Sequence, residues 1–216
     1  MRRLVDIVVA GAAAMVLAPV AVLVALLVRW QLGSPVLFRQ RRSGFEGRQF
    51  TILKFRTMRP AWHDAETDLD RDTPLGRRLR AASLDELPQL INVLRGDMSL
   101  IGPRPTLPEQ VVHYDKRQRG RLAIRPGVTG WAQVHGRNSI SWPERIELDL
   151  WYIANRSLWV DLKVLWLTVM NVIRPRGITG AGGVNEGFPL PDGRKTAIHA
   201  AASALTTEQG GRSSGT

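Results

Sequence analysis

Cysteine is absent from the 216 residues of this chain, which excludes a disulfide framework, a thiolate metal site and a cysteine nucleophile. The four histidines lack the spacing of metal ligands, so a histidine metal site is not expected. Neither a Walker-type loop nor a Gly-x-Gly-x-x-Gly fingerprint occurs, so a nucleoside triphosphatase and a dinucleotide-binding enzyme are not indicated. The histidines are His63, His113, His135 and His199.

Acidic residues are fewer than basic ones, with 19 Asp and Glu against 30 Lys and Arg. This excess favours an anionic partner, which can be a phospholipid surface, a phosphorylated substrate or nucleic acid. A nucleic-acid-binding protein would need stacking aromatics beside its charges, and only Tyr114 and Trp131 flank the basic segment. No nucleic-acid partner is therefore expected. The basic segment contains Lys116, Arg117, Arg119, Arg121 and Arg125.

Charged residues are missing from residues 7–28, an apolar run with one proline. About 22 residues at ~1.5 Å each give ~33 Å of helix, the thickness of a bilayer core. A cleaved signal peptide is disfavoured, because no small-residue cleavage site precedes Arg29. Pro19 removes an amide donor near the middle of the run, so we expect the helix to bend sharply there. The residues alone leave open a kinked spanning helix and a re-entrant helix that returns to its own face.

A second apolar stretch covers residues 158–173 and is short for a membrane span. Trp159 and Trp166 are seven residues apart and therefore lie on one face of a helix. Two interpretations are open: a buried core helix, or a helix in the membrane interface with its indoles at headgroup depth.

The remaining residues predict an α-rich α+β fold with short strands. Strand-like residues 36–38 and 50–53 flank a glycine-containing turn and indicate a hairpin. Further along the chain we expect a polar helix over 108–121, a turn over 125–130 and, beyond 178, a disordered tail without apolar periodicity.

Two adjacent carboxylates lie in a helical stretch, residues 74–94, that is interrupted near Ser83. Ser83 and Glu86 have the spacing of a capping box, which would place Asp85 and Glu86 in the first turn of a new helix. There, one carboxylate could attack phosphorus while its neighbour holds a divalent cation such as Mg²⁺. Taken alone, an Asp-Glu pair in a first turn is more often only a favourable partner of the helix dipole.

Cations that suit phosphate occur in two further segments. Lys54 and Arg56 end a predicted strand and would point the same way, either to bind a diphosphate or as a solvated strand end. Pro103 and Pro105 restrain Arg104 between them, which suits bidentate phosphate binding but also simple turn formation.

In combination, these motifs closely resemble the bacterial sugar transferase family, the monotopic phosphoglycosyl transferases that act on polyprenyl phosphate. SLDELPQL at 83–90 and GPRP at 102–105 are the most specific, and the likeness extends from Arg2 to about Arg174. The chain resembles the minimal catalytic form of the family. The other matching segments are 54–58, 92–100, 125–130, 133–138, 147–152 and 155–163.

The resemblance implies a two-step exchange. Asp85 would attack the β-phosphate of a UDP-sugar and release UMP, and polyprenyl phosphate would then take the phosphosugar from Asp85. Glu86 would assist with Mg²⁺, which the Asp85–Glu86 pair would hold. The residues expected to bind substrate phosphate or otherwise support the site are Lys54, Arg56, Arg80, Arg104, Asp161 and, as a weaker candidate, Asp149.

The resemblance also implies a location and an organisation. It favours the re-entrant helix, although the Ser-Pro pair common in the family is Ala18-Pro19 here. The catalytic domain would lie on the cytoplasmic face of the bacterial inner membrane and start glycoconjugate or exopolysaccharide synthesis. A homodimer is compatible with this assignment.

Two alternative functions are a membrane-anchored nucleic-acid-binding protein and a non-catalytic scaffold. The expected units are a membrane helix over 1–30, a catalytic domain over 31–176 and a disordered tail over 177–216.

Overall fold

The computed structural model describes residues 2–60, 68–136 and 140–173. It contains many helices and two small two-stranded sheets, as the α-rich α+β prediction required. The predicted tail over 177–216 lies outside the described residues.

Helix α1 (Arg2–Leu32) is 31 residues long and contains Pro19. It is long and apolar enough to cross a membrane. Helical backbone continues on both sides of Pro19, and the sharp bend expected there stays a prediction. Proline removes only one hydrogen bond of its own, and the bonds of the neighbouring turns maintain the helix.

The start of α1 is attached to the domain that follows it. The Arg3 guanidinium donates to the carbonyl of Val93 at 2.6 Å, and the Asp6 carboxylate accepts from the Ser99 hydroxyl at 2.8 Å. Ala10 is fully buried in one apolar cluster with Val93. One face of the start of α1, with Arg3, Asp6 and Ala10, therefore packs on this domain.

The end of α1 is attached to the same domain. Val24 and Val28 are buried in a cluster with Phe55, and the Arg56 guanidinium donates to the carbonyl of Leu32. Both ends of α1 therefore contact one folded unit, while most of its middle is exposed.

Strands β1 (Leu37–Ser43) and β2 (Gln49–Phe55) form an antiparallel hairpin, which confirms that prediction. Its turn contains a short 3₁₀ segment, Phe45–Gly47. The short helices α2 (Asp68–Arg71) and α3 (Pro74–Ala81) follow. The Thr73 hydroxyl accepts from the Gly76 amide at 3.0 Å and begins α3. A 3₁₀ turn, Leu84–Glu86, then leads to α4 (Gln89–Arg95).

A parallel pair of short strands crosses the centre of the domain: β3 (Ser99–Ile101) beside β4 (Gly127–Thr129). The predicted turn over 125–130 thus contains a short strand, which was not predicted because proline and glycine are typical of turns. The polar helix predicted over 108–121 is wrong for most of its length. Only α5 (Pro108–Val111) and a 3₁₀ segment, Gln118–Ala123, form there, and between them the Asp115 carboxylate accepts from the Gln118 amide at 2.7 Å.

Helices α6 (Trp131–His135), α7 (Trp142–Ala154) and α8 (Leu158–Ile173) complete the domain. On α8 only Val164 is buried, in a cluster that includes Trp131 and Tyr152. Trp159 and Trp166 are 79% and 63% exposed, so α8 is not the buried core helix that one interpretation required. Its open face is apolar and also carries Leu158, Leu162, Val169 and Ile173.

Candidate active site

The backbone at Ser83 directs the carboxylate pair. Ser83 has φ 56° and ψ 20°, a left-handed conformation that costs a non-glycine residue roughly 1–2 kcal/mol. Its amide donates to the carbonyl of Arg80 at 3.1 Å, so Ser83 ends α3. Its hydroxyl makes no capping bond, and the predicted capping box is wrong because an N-cap requires extended backbone. Asp85 and Glu86 therefore lie in the 3₁₀ turn between two helices.

Glu86 lies between two cations that come from distant segments. Oε1 of Glu86 accepts from Nζ of Lys54 at 2.6 Å and from the Arg104 guanidinium at 3.1 Å. Burial opposes ionisation, but the charges of Lys54 and Arg104 outweigh it and lower the pKa of Glu86 to about 2. Glu86 is therefore an anion throughout the physiological range.

The pKa of Asp85 is shifted in the opposite direction to that of Glu86. It is 7% exposed, and this burial, together with the charge of Glu86, raises its pKa to about 6 against the opposing charges of Lys54 and Arg104. Adjacent carboxyl groups whose pKa values are pushed apart are typical of sites where the two perform different tasks.

Lys54 and Arg104 reach Glu86 because the backbone around each is fixed. The Asn92 amide group, fully buried on α4, accepts from the Leu53 amide at 3.0 Å and donates to the Thr51 carbonyl at 2.8 Å. It thereby ties α4 to β2 next to Lys54. Sequence reasoning missed Asn92, although a polar residue within the apolar segment LINVL was the available signal.

The loop that carries Arg104 is fixed by close backbone contacts. Gly102 donates to the Thr129 carbonyl at 2.9 Å, and a Cβ on Gly102 would meet the Arg125 carbonyl oxygen at 2.5 Å. The Arg121 guanidinium contacts the Arg104 carbonyl at 3.4 Å. The predicted rigid frame is thus present, with backbone packing added to the two prolines.

Arg80 lies at the edge of this site. Its guanidinium donates to the Thr57 hydroxyl at 2.9 Å and pairs with Asp72. Its charge lowers the pKa of Asp85, although less than Lys54 and Arg104 do. The structure therefore brings Lys54, Arg80 and Arg104 around the Asp85–Glu86 pair.

Arg56 has other partners than Lys54. It directly follows β2, and its guanidinium donates to the carbonyls of Leu32 and Ser34. Arg56 fixes the end of α1.

Asp149 and Asp161 have partners of their own. Asp149 pairs with Arg121 at 2.6 Å, with both side chains 2% exposed. Asp161 pairs with Arg2 at 3.0 Å and accepts from the Tyr152 hydroxyl at 2.6 Å. The first pair lies beneath the Arg104 loop and the second joins α1 to α8.

A divalent cation would depend largely on ligands from outside the chain. Within residues 2–60, 68–136 and 140–173, no group of three or more His, Cys, Asp or Glu side chains could hold a metal ion. The Asp85–Glu86 pair supplies two carboxylates, and Mg²⁺ binds proteins through one or two carboxylates plus substrate phosphates and water. The donor set therefore fits Mg²⁺ together with a phosphorylated substrate.

Comparison with known proteins shows the family of this chain. A family model described as bacterial sugar transferase matches residues 1–175. The uncharacterized sugar transferase EpsL of Bacillus subtilis is 50% identical over 70% of this chain and 76% of that protein. The UDP-glucose:undecaprenyl-phosphate glucose-1-phosphate transferase of Caulobacter vibrioides is 44% identical over 80% of this chain and 69% of that protein. The exopolysaccharide production protein ExoY of Rhizobium meliloti is 35% identical over 82% of this chain and 87% of that protein.

Proposed function

This chain belongs to the bacterial sugar transferase family, and we propose that it transfers a sugar phosphate from a UDP-sugar to a polyprenyl phosphate. The observation that carries this proposal is the Asp85–Glu86 pair, in which Asp85 is buried and Glu86 accepts hydrogen bonds from both Lys54 and Arg104. The name of the Caulobacter vibrioides relative supports both the donor and the acceptor. UDP-glucose is therefore the first donor to test.

We propose that Asp85 is the nucleophile. Its carboxylate oxygen forms a bond to the β-phosphorus of the UDP-sugar, the bond to the bridging oxygen breaks, and UMP leaves with that electron pair. A phosphate oxygen of the polyprenyl phosphate then attacks the same phosphorus and releases the Asp85 carboxylate. The two steps need no net proton. A carboxylate with a pKa of about 6 is ionised at neutral pH and retains more basicity than an ordinary aspartate.

The cations around the pair would stabilise the negative charge on the oxygens of the transferred phosphate. Phosphoryl transfer relies mainly on positioning and charge neutralisation. Lys54 and Arg104 already lie within 3.1 Å of Glu86, where they would meet the oxygens of a phosphate bound beside Asp85. Mg²⁺ held by Asp85 and Glu86 would add further neutralisation of the phosphate oxygens.

We propose that α1 is re-entrant and that the domain lies on the cytoplasmic membrane surface. A straight α1 would be about 46 Å long and would place its ends on opposite sides of a ~30 Å bilayer core. Arg3 and Leu32 both contact the same polar domain, which supports a course with both ends on one side. The exposed indoles of Trp159 and Trp166 supply an apolar face suited to the membrane interface. Association of two copies remains a prediction.

The nucleic-acid alternative finds little support in the basic segment. Arg117 pairs with Glu147, Arg121 is buried on Asp149, and Arg125 donates to the Gly96 carbonyl. Three of its five cations therefore have protein partners.

The test is UMP release by purified, detergent-solubilised protein given Mg²⁺, a polyprenyl phosphate and a panel of UDP-sugars. We expect release with at least one donor, and its loss with Asp85→Asn or with EDTA. Release that is unchanged in Asp85→Asn would refute the proposed nucleophile. Absence of release from the folded wild-type protein over a broad panel would contradict the proposed reaction.

A further inference from the structure

Three polar side chains lie in a row on one face of the hairpin. In the β1–β2 register Phe38 is opposite Lys54, Gln40 is opposite Ile52 and Arg42 is opposite Phe50. Directly opposed residues point to the same face, and alternate residues of one strand do so too. Lys54, Gln40 and Arg42 therefore share the face that meets the Asp85–Glu86 turn and the Arg104 loop.

Gln40 and Arg42 are joined to each other and to the loop beside Arg104. One Arg42 nitrogen donates to Oε1 of Gln40 at 2.5 Å, and another donates to the Pro105 carbonyl at 3.4 Å. The first bond fixes the amide orientation of Gln40, because a reversed amide would set two donors against each other.

Each of these side chains retains a buried donor without a partner among the described residues: Nε2 of Gln40 and Nε of Arg42. Gln40 is only 6% exposed, so its amide donor lies just below the protein surface. Native proteins pair nearly all buried donors, and two neighbouring exceptions indicate a missing acceptor. Phosphate oxygens are strong acceptors for amide and guanidinium donors.

The local charge also favours an anion. Burial and the charge of Arg104 lower the pKa of Arg42 to about 10, with Glu109 opposing. Burial and the charges of Arg104 and Arg121 lower the pKa of Arg145 to about 10 in the same way. The guanidinium groups here thus repel one another, and a bound anion would relieve that repulsion.

We propose that Gln40 and Arg42, together with Arg104, bind the nucleoside-bearing phosphate of the nucleotide donor. This inference rests on the proposed function. Arg104 contacts Glu86 on one side and Arg42 contacts the next residue of its loop, Pro105, so one diphosphate can extend from Asp85 toward Arg42. A small hollow lined in part by Ser43, Arg104 and Thr106 lies beside this position.

The test measures UMP and UDP binding to the full-length protein in detergent by calorimetry. Arg42→Met and Gln40→Met remove the proposed donors with little change in volume. Arg41→Met is the matched control, since Arg41 is exposed on the opposite face of the same strand. We expect about tenfold or greater weakening of both ligands in Arg42→Met, as for a lost charge-assisted hydrogen bond, and less than a twofold change in the control.

The binding results distinguish a failure of this inference from a failure of the proposed function. Unchanged UMP binding with weakened UDP binding would place Arg42 on the sugar-bearing phosphate and overturn the assignment. Unchanged binding of both, with UMP release intact in the wild type, would overturn the inference but leave the proposed function standing. If the wild type binds neither ligand and releases no UMP, both the inference and the proposed function are refuted. If thermal unfolding shows that Arg42→Met is not folded, the UMP and UDP affinities of Arg42→Lys and Gln40→Met test the inference by the same criteria.

Discussion

Nζ of Lys54 and Oε1 of Glu86 lie 2.6 Å apart although 32 residues separate them in the sequence. This contact, with that of Arg104, keeps Glu86 ionised and leaves Asp85 as the carboxyl group with a pKa of about 6. Two adjacent acidic residues thereby acquire different chemistry. The division of tasks between them depends on a strand and a loop that lie outside their own turn.

Replacement of Lys54 by Met should lower the rate of UMP release by about 100-fold or more, the usual effect of losing one preorganised donor to a charged transition state. The exposed Arg39 of the same hairpin supplies the control, and Arg39→Met should retain nearly full activity. Steady-state kinetics on both variants checks this. A Lys54→Met enzyme within threefold of wild type would show that the Lys54–Glu86 contact has only a structural role.

In metal-free protein, carbon-13 NMR of labelled carboxyl groups should show Asp85 titrating near pH 6 and Glu86 near pH 2. Because the folded-state pKa of Asp85 is raised, the folded protein binds its proton more tightly than the unfolded chain does. The contribution of Asp85 to stability therefore falls as pH rises from about 4 to about 6. Asp85→Asn should accordingly stabilise the metal-free protein at pH 7.5 by about 1–3 kcal/mol and have little effect at pH 4. Asp85 titration below pH 4 would contradict this.

Ser83 offers a test of backbone strain. Ser83→Gly should stabilise the protein by about 1 kcal/mol, because glycine adopts a φ of 56° without strain. Ser83→Ala should change stability by less than about 0.5 kcal/mol, since the hydroxyl makes no capping bond. Denaturant titrations of both variants measure this. A loss of about 1 kcal/mol or more in Ser83→Ala would instead indicate the capping box expected from the sequence.

Asp149→Asn should destabilise the protein by about 3–5 kcal/mol, because it leaves the buried Arg121 guanidinium without its counter-ion. The matched comparison is Glu147→Gln on the same helix, whose pair with Arg117 is exposed and screened by solvent, so its loss should change stability far less. Thermal unfolding of each variant measures these changes in stability. A stable Asp149→Asn protein with weakened substrate binding would favour the phosphate-binding role predicted from the sequence.

The absence of native cysteine makes the topology of α1 directly testable. Leu4→Cys and Gln31→Cys place single thiols at exposed positions near its two ends. A membrane-impermeant maleimide should label both from the cytoplasmic side only, as it should Arg41→Cys in the domain. Labelling of Leu4→Cys and Gln31→Cys from opposite sides would establish a spanning helix.

The sequence predicted those parts of the fold that depend on local pattern. The hairpin, the interruption at Ser83 and the helix over 158–173 all follow from short-range spacing. The candidate site around Asp85 came from the motif resemblance, since an Asp-Glu pair in isolation indicates little.

Features that depend on long-range packing were not predictable. The partners of Glu86 come from β2 and from the Arg104 loop, and no spacing rule connects them. Arg56 is held by carbonyls at and just after the end of α1, and β4 is stabilised by pairing with the distant β3. Such contacts are selected by tertiary packing, which local propensity does not encode.

The most direct test of the account is the intact mass of the protein after brief exposure to its UDP-sugar donor and Mg²⁺ without polyprenyl phosphate. The account predicts a gain of one sugar phosphate on the wild-type chain, located at Asp85 by peptide mapping, lost on addition of polyprenyl phosphate, and absent in Asp85→Asn. UMP release that requires polyprenyl phosphate and leaves the protein mass unchanged would indicate direct transfer and contradict the central claim.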